Sequence, residues 1–255
     1  ANAATALSVA QVQGVISRAV AEAQARNARA TIAVVDRVGN VLGVFVMAGA
    51  SASVTVRSTR GTARIEGGLE GVEIVPATLA AIAKAVTGAY LSSEGNAFST
   101  RTASQIVQSH FNPGEVLAPG GPLFGVQFSQ LPCSDLAARF AGAAPDAGPK
   151  RSPLGLAADP GGFPLYLAGT PVGGVGVIAD GLYGLDADAM DLDDDLDEAI
   201  AFAGTVGLAA PEDRRADRIT VEGKTLRFSD LGTADLRTDP AAAPSFGSLA
   251  AIGVP

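Results

Sequence analysis

The chain has 255 residues, 47% of them apolar and 17% charged, with a formal net charge of −8. Such a composition supplies a substantial core and speaks against wholesale disorder. The acidic balance, with no basic stripe, speaks against nucleic acid and anionic membrane surfaces as partners, and no unbroken apolar run reaches the roughly 20 residues of a membrane-spanning helix.

The opening "ANAATALS" carries no initiator Met and is rich in small residues. It looks like what remains after signal-peptide cleavage, so the expectation is a periplasmic or secreted protein, a trimmed chain being the alternative. "SVAQVQGVISRAVAEAQARN" places Val9, Val12, Ile16 and Val20 near helical spacing, with Ser8 as N-cap. "ATIAVVDRVGNVLGVFVMAG" follows, two β-branched runs flanking Gly39-Asn40, and predicts a β-hairpin. Its nearly continuous apolar pattern calls for cover on both faces, by helices or by a partner subunit.

Residues 51–75 are Gly-rich and mixed in charge and read as an irregular excursion. Pro76 then opens "PATLAAIAKAVTGAYLSS", a helix with Pro near its first turn. "STRTASQIVQSHF" predicts a second helix capped by Ser99 or Thr100. From Asn112 to Gly162 the chain turns to Pro, Gly and small residues, a loop long enough to be functional or interfacial. A second hairpin is expected across Gly169-Thr170-Pro171. An acidic burst then leads into the helix "LDDDLDEAIAFAG". A third hairpin turns at Glu222-Gly223, and an extended arm closes the sequence.

Two motif readings fail on spacing. "VGGVGV" lacks the G-x-G-x-x-G order of a dinucleotide loop and no helix opens after it, so Gly173, Gly174 and Gly176 point to close approach of packed backbone or of a flat ligand. The acidic burst fits the first two places of a calcium loop at Asp186 and Asp188 and then departs from it. It reads better as a helix start, with Asp193 or its neighbours as cap, and a divalent ion as the alternative.

Chemistry has few places to sit. His110 is the single histidine, so one chain cannot build a multi-His metal site. It lies where a helix is expected to end, which suits the helix dipole; axial ligation of a haem iron is the functional reading. The lone Cys133 allows no intramolecular disulfide, and a Cys133–His110 dyad has only composition behind it. Residues 90–102, "YLSSEGNAFSTRT", gather Tyr90, Glu94, Asn96 and Arg101. They read either as an anion pocket built on Arg101 or as an ordinary capped connection.

The order of blocks resembles the GlcG/HbpS-like haem-binding family. The blocks are "TIAVVDRVGNVLGVFVMAGA", "AIAKAVTGAYLSS", "GGFPLYLAGTPVGGVGVIAD" and "DEAIAFAG", and they cover roughly residues 7–110 and 160–208. The resemblance implies an α/β (α+β) fold, a profilin-like sandwich in which an antiparallel sheet is flanked by helices, with long Gly/Pro-rich inserts at about 51–75 and 112–160. It places the family domain at 1–210 and leaves 211–255 as a C-terminal hairpin and arm. It also implies self-assembly into a homo-oligomer and haem or a related tetrapyrrole as cofactor. Lys84 and Thr87 match the block K-A-x-T. His110, Tyr90 and Arg101 join them as candidate cofactor-binding residues, His110 as iron ligand, with Tyr90, Cys133 and Met47 as its rivals. Three functions follow as expectations: an exported oligomeric haem-binding protein, an enzyme or sensor for a small organic acid, or an assembly protein without ligand.

Overall fold

A computed structural model describes residues 6–58, 69–108, 120–121, 123, 154–188, 191–221 and 223–255. Five strands form one antiparallel sheet in the order β5-β6-β1-β2-β9. They are β1 (Thr31–Asp36), β2 (Val41–Met47), β5 (Gly162–Leu167), β6 (Thr170–Ile178) and β9 (Gly253–Val254). Helices α1 (Val9–Ala25) and α4 (Leu196–Thr205) cover one face. Helix α2 (Ala77–Leu91) covers the other, and α3 (Thr100–Ile106) follows it in the chain. The expected antiparallel sheet between helices is therefore present.

The alternation of β1 sets the two layers. Ile32 and Val34 point into the core with Val15, Ile16, Val20, Phe163 and Ile200, while Ala33 and Val35 meet Ala81, Ala85 and Ala89 of α2. Seven of the ten buried residues of α2 are Ala or Gly. A methyl added at Gly174 or Gly176 would overlap the carbonyl oxygens of Ala85 and Ala81, and one at Gly88 would come within 2.6 Å of the Phe163 carbonyl carbon. The glycines of β6 and α2 thus let helix and sheet backbones touch, the first of the two readings of "VGGVGV".

The turns differ in detail from the sequence expectation. The first hairpin closes through Arg37–Asn40, and Asp36 organises it: Oδ1 accepts from the N–H groups of Val38 (2.9 Å) and Asn40 (2.8 Å), and Oδ2 from the Asn40 side chain (2.7 Å). Gly39 supplies the left-handed conformation there, at φ +82°. The second hairpin turns at Ala168-Gly169, one residue earlier than expected, with both residues at positive φ (48° and 83°), as a two-residue hairpin turn requires.

Ser8 caps α1, accepting from Gln11 N–H at 3.2 Å, and Ser99 caps α3, accepting from Thr102 N–H at 3.1 Å. The cap of α4 is Asp195, which accepts from Glu198 N–H at 2.9 Å; Asp193 lies two residues too early and turns to Arg101 instead. The 51–75 excursion contains a small two-stranded sheet, β3 (Ser53–Val54) with β4 (Val75–Pro76). The third hairpin forms as β7 (Thr220–Val221) with β8 (Lys224–Thr225). Beyond it the arm is not extended. It winds through short 3-10 turns, buries Leu249, and ends as β9 against Val46 and Met47 of β2.

Candidate functional site

Lys84 is the one charged residue of α2, and it is fully buried. Its ammonium donates to the carbonyls of Pro160 (2.8 Å) and Val177 (2.7 Å) and to Asp197 Oδ2 (2.5 Å), and it pairs with Asp159. Burial works against that charge, but Asp159 and Asp197 outweigh it and hold Lys84 protonated. Two carboxylates share one ammonium, so burial raises both of their pKa values, that of Asp159 to about 7. Asp197 Oδ1 also accepts from the N–H groups of Ala179 (2.7 Å) and Asp180 (3.1 Å), and Asp159 Oδ1 from Gly184 N–H (2.8 Å). Thr87, one turn on, donates to Ala83 O (2.7 Å) and accepts from Ala157 N–H (2.7 Å).

Arg101 is also buried, between carboxylates rather than facing an anion site. It grips Glu198 with two N–H groups (3.2 and 3.1 Å) and reaches Asp186 (2.7 Å), Asp193 (3.0 Å) and Asp230 (3.4 Å). Burial opposes its charge, and Glu198 and Asp230 overcome that opposition. Burial in turn raises Glu198 to about 7 despite Arg101. The carboxylates of Asp186, Asp191 and Asp193 lie within 4.8 Å of one another. Two of the three pair with Arg101, a role for the acidic burst in holding the fold together.

Tyr90 ends α2 half-exposed, and its hydroxyl donates to Val38 O at 2.9 Å, tying the first hairpin to the helix. Met47 is buried, with its sulfur accepting from Ala30 N–H at 3.3 Å. His110 and Cys133 lie outside the described residues. Lys84 and Arg101 thus face carboxylates of the fold, while Tyr90 sits apart from both at the hairpin tip.

What sequence reading missed is a cleft on the α1 side of the sheet, about 250 Å³, between α1, the open edge of β2 and the end of the chain. Val12, Ile16, Leu42, Val44, Phe246 and Pro255 are among its lining, and Gln13 is its one polar side chain among the described residues. Its rim exposes large apolar residues: Val9 is 74% exposed and Leu42 41%. Half of the signal was present in α1, where Val9 continues the apolar stripe past what the core needs.

No family model and no curated protein matches the sequence. Solved structures similar to the chain include PduOC in complex with haem, at 18% identity, TM-score 0.46, over 80% of this chain and 95% of that one. ORFY of Klebsiella pneumoniae, a DUF336 protein, matches at 16% identity, TM-score 0.43, over 78% and 88%. A double mutant of HbpS from Streptomyces reticuli matches at 19% identity, TM-score 0.40, over 82% and 91%. The likeness is one of fold.

Proposed function

We propose that this protein binds haem or a related tetrapyrrole as an exported homo-oligomer. The observation that carries the reading is the apolar cleft. Its aliphatic walls and Phe246 suit one face of a flat macrocycle, and its mouth is ringed by exposed apolar residues. At about 250 Å³ it falls short of the ~300–1,000 Å³ that encloses a drug-sized ligand. One edge of the ring system fits, and a second copy closes over the remainder. The outer edge of β2, away from β1, has no strand partner from Val41 to Phe45 among the described residues, which also favours a neighbouring subunit there.

Among the described residues the lining holds no imidazole, thiol, thioether or phenol, so none of them is an iron ligand. His110 enters the proposal as the iron ligand on the chemistry of imidazole. Haem bound there supplies ligand-binding or redox chemistry; the chain's own contribution is apolar burial and exclusion of water.

Haem titration followed by absorbance tests the reading. The parent gives a saturable Soret band, Leu42→Glu weakens binding about tenfold or more by placing a charge in the cleft, and His110→Ala shifts the Soret maximum. No saturable spectral change in the parent overturns the proposal. Light scattering reports the oligomer, and fractionation of the native source reports export.

A further inference from the structure

Beside the apolar cleft, and sharing Gln13 and Phe246 with it, lies a polar pocket of about 300 Å³ between α1 and the C-terminal arm. From α1 it is lined by Gln13, Gly14, Ser17 and Arg18, and from the arm by residues between Pro240 and Phe246; among the described residues the lining contains one cation and no carboxylate. Two of these side chains are incompletely used. The Ser17 hydroxyl is buried and has no hydrogen-bond partner, which is unusual for a buried polar group. The Arg18 guanidinium spends Nε and Nη2 on a single carbonyl, Gly204 O, at 3.3 and 3.2 Å. Among the described residues no carboxylate pairs with it, in contrast to Arg101 and Lys84. Burial accordingly lowers its pKa with no neighbouring negative charge in opposition. Gly14 stands in the helix interior, where Gly is about 1 kcal/mol worse than Ala. A methyl there would sit 3.1 Å from Arg18 Nη1, so the glycine leaves the guanidinium its room.

We propose that Arg18 and Ser17 bind a carboxylate in this pocket, and that the molecule bearing it lays its apolar body in the adjoining cleft. The ligand class is an apolar molecule with an anionic end. A tetrapyrrole propionate is one source of that carboxylate, a free aliphatic acid another. The first source rests on the tetrapyrrole reading; the pocket itself does not.

The test uses the full chain with three probes: haem, haem dimethyl ester and decanoate, against the parent, Arg18→Gln and Ser17→Ala. Ser17→Ala removes no intramolecular hydrogen bond, so it keeps the fold if Arg18→Gln loses stability through Gly204. The expected result is that the parent prefers haem over its ester about tenfold or more, by absorbance titration, and that both variants lose the preference. If haem and ester bind the parent equally and decanoate leaves the melting temperature of the parent unchanged, the pocket is overturned and the tetrapyrrole reading stands. If haem fails to bind but decanoate raises the melting temperature of the parent and of neither variant, the pocket stands and the tetrapyrrole reading falls. Ser17→Ala indistinguishable from the parent with every probe overturns the assignment, whatever Arg18→Gln does.

Discussion

Replacing Lys84 by Met removes the ammonium and nearly keeps the volume. Asp159 and Asp197 then remain buried with no cation, and the carbonyls of Pro160 and Val177 lose their donor. Breaking a buried pair in this way costs about 3–5 kcal/mol, against a total stability of about 5–15 kcal/mol for a domain. The sign of the pH dependence follows from the carboxylates. Without Lys84 their folded pKa values rise further above the unfolded value, so the penalty is full above the folded pKa and fades as pH falls towards the unfolded one. The slope is up to about 1.4 kcal/mol per pH unit for each proton the folded state takes up. Urea unfolding at pH 8 and pH 5 reads this: the deficit of Lys84→Met is large at pH 8 and smaller at pH 5. The triple variant Lys84→Met, Asp159→Asn, Asp197→Asn recovers most of the loss. Its amide oxygens still accept from Gly184, Ala179 and Asp180, and no charge is left behind. A single variant as stable as the parent, or a triple variant no better than the single one, refutes the reasoning.

Asp195→Ala removes the α4 cap and lowers stability by about 0.5–2 kcal/mol in denaturant unfolding, whereas Asp191→Ala, on an exposed residue, leaves it unchanged. Gly176→Ala forces α2 off the sheet and costs about 1–3 kcal/mol or more, seen as a lower melting temperature. Glu22 is buried and accepts from Arg237 N–H (2.9 Å), Thr238 N–H (3.0 Å) and the Thr238 hydroxyl (2.6 Å). Glu22→Gln therefore loosens the arm by about 1–3 kcal/mol, and limited proteolysis cuts the arm faster while the helices stay protected.

Local rules made much of this fold legible. The Ser8 cap, the apolar stripe of α1 and the β-branched runs of β1 and β2 each rest on residues close in sequence, where period and turn chemistry operate. The family resemblance added the order of the blocks. The buried charge clusters were not legible, because their partners are far apart in the chain. Lys84 meets Asp197 across 113 positions, and Arg101 meets Glu198 across 97. One signal was available for Lys84: a single charge inside fifteen otherwise uncharged residues, on a helix too apolar to offer a wet face. Such a residue is either a ligand or half of a buried pair, and only tertiary structure decides which. The α4 cap slipped by two residues because five aspartates stand between Asp191 and Asp197, and composition cannot say which of them precedes the first helical residue.

The placement of charge separates architecture from function. Lys84 and Arg101 join α2 and α3 to the strand and helix that carry Val177, Asp197 and Glu198, and their hydrogen bonds are directed inward. A ligand competing for either would have to displace a buried carboxylate, which is costly. Arg18 carries no such burden. It lies on α1, at the seam where the arm crosses the helix, and that seam is held chiefly by Glu22, four residues further along α1. The cleft and the pocket both take part of their wall from the arm, at Phe246. A molecule bound as proposed would contact the docked arm at Phe246. Binding and arm docking therefore strengthen each other by the same free energy. The segment that reads from sequence as an extended arm would in this way take part in holding whatever the proposed pocket binds.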